Sequence, residues 1–207
     1  MVPLRAIFST IGCLWFFYIV SGILMTVDSA RNQTTQNQVT KNHVSAREYK
    51  RAMRHLAGAV SVITVEHEGE RGGLTATSVA SVAADPAELL VCINQSTATW
   101  PLLERSGRFA VNILAADQQD VAKRFAGIGQ LQGDARYGEE NWIKTDTGVW
   151  ILKSAAAALA CTVDEVILRH SHALVFGRVR EVFYQTAETT RPLVYWQGSF
   201  ANLALGK

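Results

Sequence analysis

Residues 158–182 read ALACTVDEVILRHSHALVFGRVREV. β-Branched and apolar residues fill two runs, Ala158–Ile167 and His172–Val182, and only residues 168–171 separate them. These two runs do not alternate with a helix in βαβ fashion. A further strand candidate, Leu193–Trp196, follows. Upstream, Val60–Val65, Leu89–Ile93 and Phe109–Leu114 have the same character, the middle one apolar throughout and so buried on both faces.

Helical signals are fewer. Ser45-Ala46-Arg47-Glu48 is a capping box, and Tyr49, Ala52, Met53 and Leu56 then recur on one apolar face as far as Gly58. Thr99-Trp100-Pro101 opens a short helix that Gly107 closes, with proline in the first turn, where its missing N–H costs little. Asp117 is positioned to cap a third helix carrying Val121, Ala122 and Phe125, ending at Gly127. Glu68-Gly69-Glu70 reads as a turn, and residues 127–147 as a long Gly-rich loop. Strands outnumber helices without alternating with them, so the pattern predicts a mainly β fold, a compact antiparallel barrel with peripheral helices. The run Gly127-Ile-Gly129-Gln-Leu-Gln-Gly133 has the wrong spacing for a dinucleotide fingerprint and no strand before it. HExxH, GxSxG and P-loop motifs are absent.

At 207 residues, with net charge +2, 48% hydrophobic and 18% charged residues, the chain is long enough for one cored domain with an appendage. A near-neutral balance without a basic stripe argues against nucleic-acid binding. Cys13, Cys92 and Cys161 are scattered and form no CxxC, which supports neither a disulfide framework nor a zinc site and makes a reducing, cytoplasmic compartment the default. Residues 1–24 form a hydrophobic extension, and the charge-free run continues from Ala6 to Val27, 22 residues. That length can span a bilayer. Three readings stand: a gene start placed too early, with Met25 the true one; a membrane anchor over residues 6–27; or a secretion signal with a poor cleavage site. Residues 25–44 are polar and predicted to be disordered, and residues 45–207 form the domain.

Four places could carry chemistry. Leu74-Thr75-Ala76-Thr77-Ser78-Val79-Ala80-Ser81 is small and hydroxyl-rich, which lets a flat ligand approach the backbone; a plain edge strand is the other account. Asn94-Gln95-Ser96-Thr97-Ala98-Thr99 joins a strand to a helix start, as an anion site or as ordinary capping by Thr99. His170-Ser171-His172 enters a strand with two histidines on one side; a metal, a ligand contact and a structural role all remain open, although no third metal ligand stands out. Tyr195-Trp196-Gln197-Gly198-Ser199-Phe200 offers aromatics for core packing, a dimer contact or stacking on a planar ligand. Cys92 and Cys161 lie in apolar strands and read as packing residues.

In order, YKRAMRHLAGAVSVITV, GLTATSVASV, Asp85-Pro86, LLVCINQSTATWPLL, GRFAVNILAADQQDVAKRFAG, SHALVFGRV and LVYWQGSF resemble the flavin reductase-like proteins with the FMN-binding split barrel, from about Tyr49 to Leu203. The resemblance implies a homodimer of six-stranded antiparallel Greek-key barrels. It implies FMN, or FAD, near the subunit interface, reduced by NADH or NADPH and passed to a partner oxygenase of a two-component monooxygenase. By position, Thr75, Ala76, Thr77, Ser78, Ser81 and Val82 would line the flavin ring. Asn94, Ser96, Thr97 and Thr99 would surround the ribityl chain and phosphate, Asn112 would lie beside the flavin, and His172 would contact the nicotinamide. Two departures from the family stand out: His170-Ser171 where Gly-Asp or Gly-Thr is common, and Ala160 where an acidic residue often precedes Cys161. A flavin carrier without turnover is the alternative from another class.

Overall fold

The computed structural model describes residues 44–185 and 190–203. Both the hydrophobic extension and the greater part of the polar lead-in lie outside the described residues. Helix α1 spans Ala46–Met53, with both capping-box hydrogen bonds formed at Ser45 and Glu48. It stops short of Gly58, which instead opens strand β1 (Gly58–Ala59). No residue of α1 is buried, so its apolar face is not part of this chain's core.

Strands β2 (Ser61–His67), β3 (Glu70–Ala76), β4 (Val79–Ala84) and β5 (Ala87–Asn94) follow. Next come α2 (Thr99–Ser106), β6 (Arg108–Ile113), α3 (Gln119–Phe125) and a 3₁₀ turn at Gly133–Arg136. The chain ends with β7 (Trp142–Lys144), β8 (Trp150–Leu152), β9 (Ala157–Arg169), β10 (His172–Tyr184), β11 (Leu193–Trp196) and β12 (Ser199–Asn202). Among the described residues every strand pair is antiparallel. The loop expected over residues 127–147 is thus partly structured, by the 3₁₀ turn and β7.

The main sheet has seven strands in the order β3-β2-β6-β9-β10-β5-β4, where a six-stranded split barrel was expected. Its two edges, β3 and β4, are consecutive in the chain and joined only by Thr77 and Ser78. The sheet must therefore curl until its edges meet at that corner. Two shorter sheets, β1-β11-β12 and β7-β8, flank it.

The curl explains the burial pattern. Ile63, Val65, Leu89, Val91, Ile93, Phe109, Val111, Ala173 and Val175 point inward, where Trp100, Leu102 and Leu103 of α2 pack against them. Val60 and Val62 point the other way, onto Val121 and Phe125 of α3, Tyr137, Leu152 and Leu193. The Val60–Val65 run has core on both faces, which is why it shows no clean alternation. Two-residue turns at Glu68-Gly69 (φ 51° and 85°) and Gln197-Gly198 (φ 52° and 86°) close hairpins β2–β3 and β11–β12, as type I′ turns do. Caps differ from expectation in two places. Ala98 and Gln118, neither accepting a capping hydrogen bond through its side chain, precede α2 and α3, where Thr99 and Asp117 were the capping candidates.

Candidate functional site

The predicted residues separate into two groups. One gathers at a single end of the β4-β5-β10 part of the sheet. Asn94, the last residue of β5, faces His172, the first of β10, directly across the ladder. On the other side of β5, the Cys92 N–H donates to the Ser78 carbonyl (3.1 Å) and Ser78 Oγ donates to the Cys92 carbonyl (3.1 Å). The exposed Thr77-Ser78 corner is thereby tied two residues from Asn94.

Beyond Asn94 the chain makes a tight polar turn. Asn94 Oδ1 accepts from Ser96 N–H (3.0 Å) and Ser96 Oγ (2.7 Å), and Thr97 Oγ1 donates to the Asn94 carbonyl (2.8 Å). His172 is half-buried, with Nδ1 2.9 Å from Ser171 Oγ. Burial pushes its pKa below the ordinary imidazole value of 6.5, so the ring is neutral at pH 7. Arg169 lies opposite His172 on β9. Asn94, Ser96, Thr97, Ser78, His172 and Arg169 include no carboxylate. A donor set of amide, hydroxyl, imidazole and guanidinium groups fits a ligand with phosphate oxygens and a heteroaromatic ring.

The second group lies elsewhere. Thr75, Val62, Asn112 and Ala158 form one row across β3, β2, β6 and β9. Thr75 is buried and its Oγ1 donates to the Ala122 carbonyl (2.7 Å). Asn112 is 0% exposed. Its Nδ2 donates to the Val62 carbonyl (3.1 Å) and to Thr64 Oγ1 (3.3 Å), and its Oδ1 accepts from Leu152 N–H (2.7 Å). Thr64 Oγ1 donates to the Trp150 carbonyl (2.5 Å), so Asn112 and Thr64 together dock β8 onto the main sheet. Asn112 is enclosed within the described chain, with its amide nitrogen and oxygen both hydrogen-bonded. Thr99 and Ala76 are also buried, the first 2% exposed at the start of α2. Ser81 and Val82 are exposed on edge strand β4, farther from the Asn94 end and beside a register shift.

Sequence reasoning passed over Gln95 and gave Ser171 no role of its own. Gln95 N–H donates to the Ser171 carbonyl (3.0 Å) and its side-chain amide to the His170 carbonyl (3.1 Å). A glutamine beside a predicted phosphate turn was the available signal; its partner, 75 residues away, was not readable. Cys161 is buried and its thiol is pushed up to about 12, while burial also raises the half-buried Cys92, so neither is a ready thiolate. Tyr195 and Phe200 stack edge-on at 5.2 Å across the β11–β12 hairpin, while Trp196 stays exposed. A cavity of about 570 Å³ opens among Ala116, Asp117, Asn141, Lys153, Gln185 and Arg191, and none of the predicted site residues lines it.

Residues 53–204 match the flavin reductase like domain. The chain is 35% identical over 160 residues to an FMN reductase (NADH), RutF, of Pseudomonas syringae pv. syringae, covering 77% of this chain and 88% of that protein. It is 32% identical over 155 residues to the reductase component of 4-hydroxyphenylacetate 3-monooxygenase from Pseudomonas aeruginosa, covering 75% and 90%. Its fold matches the flavin reductase PheA2 with a TM-score of 0.71 at 28% identity, over 78% of this chain and all of that one. Among the described residues no helix is long and apolar enough to cross a membrane. The chain belongs to the flavin reductase-like family.

Proposed function

We propose that this protein is an NADH-dependent flavin reductase that reduces FMN and supplies it to a partner monooxygenase. The observation that carries the reading is the likeness to the NADH-dependent FMN reductase of Pseudomonas syringae over nearly that protein's full length. The relative from Pseudomonas aeruginosa, a monooxygenase's reductase component, supports the partner. The geometry agrees, since the Asn94 end of the sheet gathers donors without acids. Bound FMN supplies the hydride acceptor, and the transfer asks the protein for no acid, base or nucleophile. The chain's own work is then placement. Thr77 and Ser78 leave room for a ring against the backbone, and the Asn94–Thr97 turn offers polar groups to a phosphate. Neutral His172 meets the nicotinamide.

The homodimer belongs to the same proposal, with the curled sheet closing as a split barrel beside the subunit interface. Val166 and Leu168, 40% and 57% exposed near the tip of the β9–β10 hairpin, are suited to packing against a second copy. The deciding experiment is NADH and NADPH oxidation by the purified protein with FMN, FAD or no flavin. Flavin-dependent turnover, fastest with NADH and FMN, is expected. Measurable flavin binding with no turnover for any pair would instead make the protein a flavin carrier.

A further inference from the structure

The ladder between β5 and β10 ends at the pair Asn94 and His172. On both sides the chain turns away there, into Ser96-Thr97 on one strand and the His170-Ser171 hairpin tip on the other. A tip beyond its last ladder pair is the part of a hairpin most prone to local opening. Here the tip is held from outside its own hairpin, because Gln95 bonds both of its carbonyls, Ser171 through the backbone N–H (3.0 Å) and His170 through the side-chain amide (3.1 Å).

The hold matters because His170 has φ +52°, the left-handed region that a residue with a Cβ enters at a cost. Ser171 then carries the restraint to the imidazole, since its Oγ lies 2.9 Å from His172 Nδ1. Rotating the ring by half a turn would replace that hydrogen bond with a C–H contact. The polar turn beside Gln95 does not need its side chain, because Ser96 and Thr97 bond to Asn94 on their own.

We propose that Gln95 is a positioning residue for the nicotinamide nucleotide, acting through the His170-Ser171 tip to fix the His172 ring against the Asn94–Thr97 turn. The proposal rests on the reading of His172 as the nicotinamide-side group. It concerns residues of this chain alone, since the bonds it invokes run from Gln95 to the His170 and Ser171 carbonyls.

The test is a double-mutant cycle between Gln95→Ala and His172→Ala. It is read by calorimetric NAD⁺ binding with FMN present and by steady-state kinetics. Gln95→Glu repeats the first arm at nearly constant size, without an amide to donate, in case truncation loosens the loop. Either Gln95 variant is expected to weaken NAD⁺ binding and raise the NADH KM about fivefold, the order of one hydrogen bond. The kcat and the FMN KM should stay within about twofold, as for a group that affects binding alone. The double variant should be no weaker than His172→Ala by itself. Multiplicative losses in the double variant would overturn the proposal, because Gln95 would then act by another route. An equal rise in the FMN KM would overturn it by placing Gln95 on the flavin side. Silent Gln95 variants beside a damaged His172→Ala would overturn the proposal and leave the His172 reading standing. A silent His172→Ala would remove that reading and the proposal with it.

Discussion

Asn112→Ala should destabilise the protein and leave its flavin affinity alone. The residue is fully buried, and its Oδ1 is the acceptor for the N–H of Leu152, itself 1% exposed. Alanine cannot accept that bond, and water has no route to replace it. A buried N–H left unpaired costs about 1–3 kcal/mol. The removed carboxamide also leaves a small void, adding about 1 kcal/mol. The sum, about 3 kcal/mol, lowers Tm by roughly 6–12 °C for a domain of this size. β8 should loosen first, since of the two side chains that hydrogen-bond its backbone to the main sheet only Thr64, on the Trp150 carbonyl, would remain. Thermal melts followed by circular dichroism measure the first quantity. Quenching of flavin fluorescence measures the second, with the FMN Kd expected within about twofold of wild type, a difference below 0.5 kcal/mol. A Tm shifted by less than about 2 °C together with an FMN Kd raised about tenfold would refute the reasoning and put Asn112 beside the flavin after all.

Three further outcomes are expected. Gly177→Ala would set a Cβ 2.4 Å from Phe109 Cζ and 3.2 Å from Cys161 Cβ in the core, so overpacking should cost about 2 kcal/mol, read as a lower urea midpoint at unchanged m-value. Folded His172 has a depressed pKa, so below the ordinary value of 6.5 the unfolded chain binds a proton that the folded one refuses. Stability should therefore fall as pH drops through 6.5 and level off below the folded-state value; His172→Gln should remove that part of the Tm profile, and equal profiles would refute the assignment. The proposed homodimer predicts a dimer for the wild type and a monomer for Leu168→Asp, at a residue 57% exposed, by light scattering; a wild-type monomer would refute the dimer, and a dimeric variant would move its interface elsewhere.

What the sequence shows of the fold follows from what is local. The capping box at Ser45, the Glu68-Gly69 turn and the helix stop at Gly107, whose φ is 61°, depend on neighbouring residues and stand in the structure as expected. Strands β2, β5, β6, β9 and β10 were also readable, because β-branched runs announce themselves. The division of residues 70–84 was not. Their small residues look continuous, yet β3 and β4 lie at opposite edges of the sheet order, and the break falls at Thr77-Ser78, where no glycine or proline marks it. The apolar face of α1 was readable, but periodicity shows only that a face is apolar and not what covers it: Tyr49, Met53 and Leu56 stay 48%, 38% and 67% exposed.

The candidate site divides along the same line. Asn94 and His172 are 78 residues apart in the chain and meet through ladder register, which a single sequence does not specify. Asn112 was a lone amide inside the apolar strand FAVNIL, and buried amides are nearly always hydrogen-bonded. That rule alone makes a structural role the first account of such a residue, before any ligand is considered. Applied across the site, it separates residues whose polar atoms are consumed inside the core, Thr75 and Asn112, from those on the accessible Asn94 end. A reaction carried by a cofactor needs no reactive side chain to betray its location. The informative features are then the ones that hold polar groups still: Ser96 and Thr97 on Asn94, Ser171 on His172, and Gln95 across the two turns.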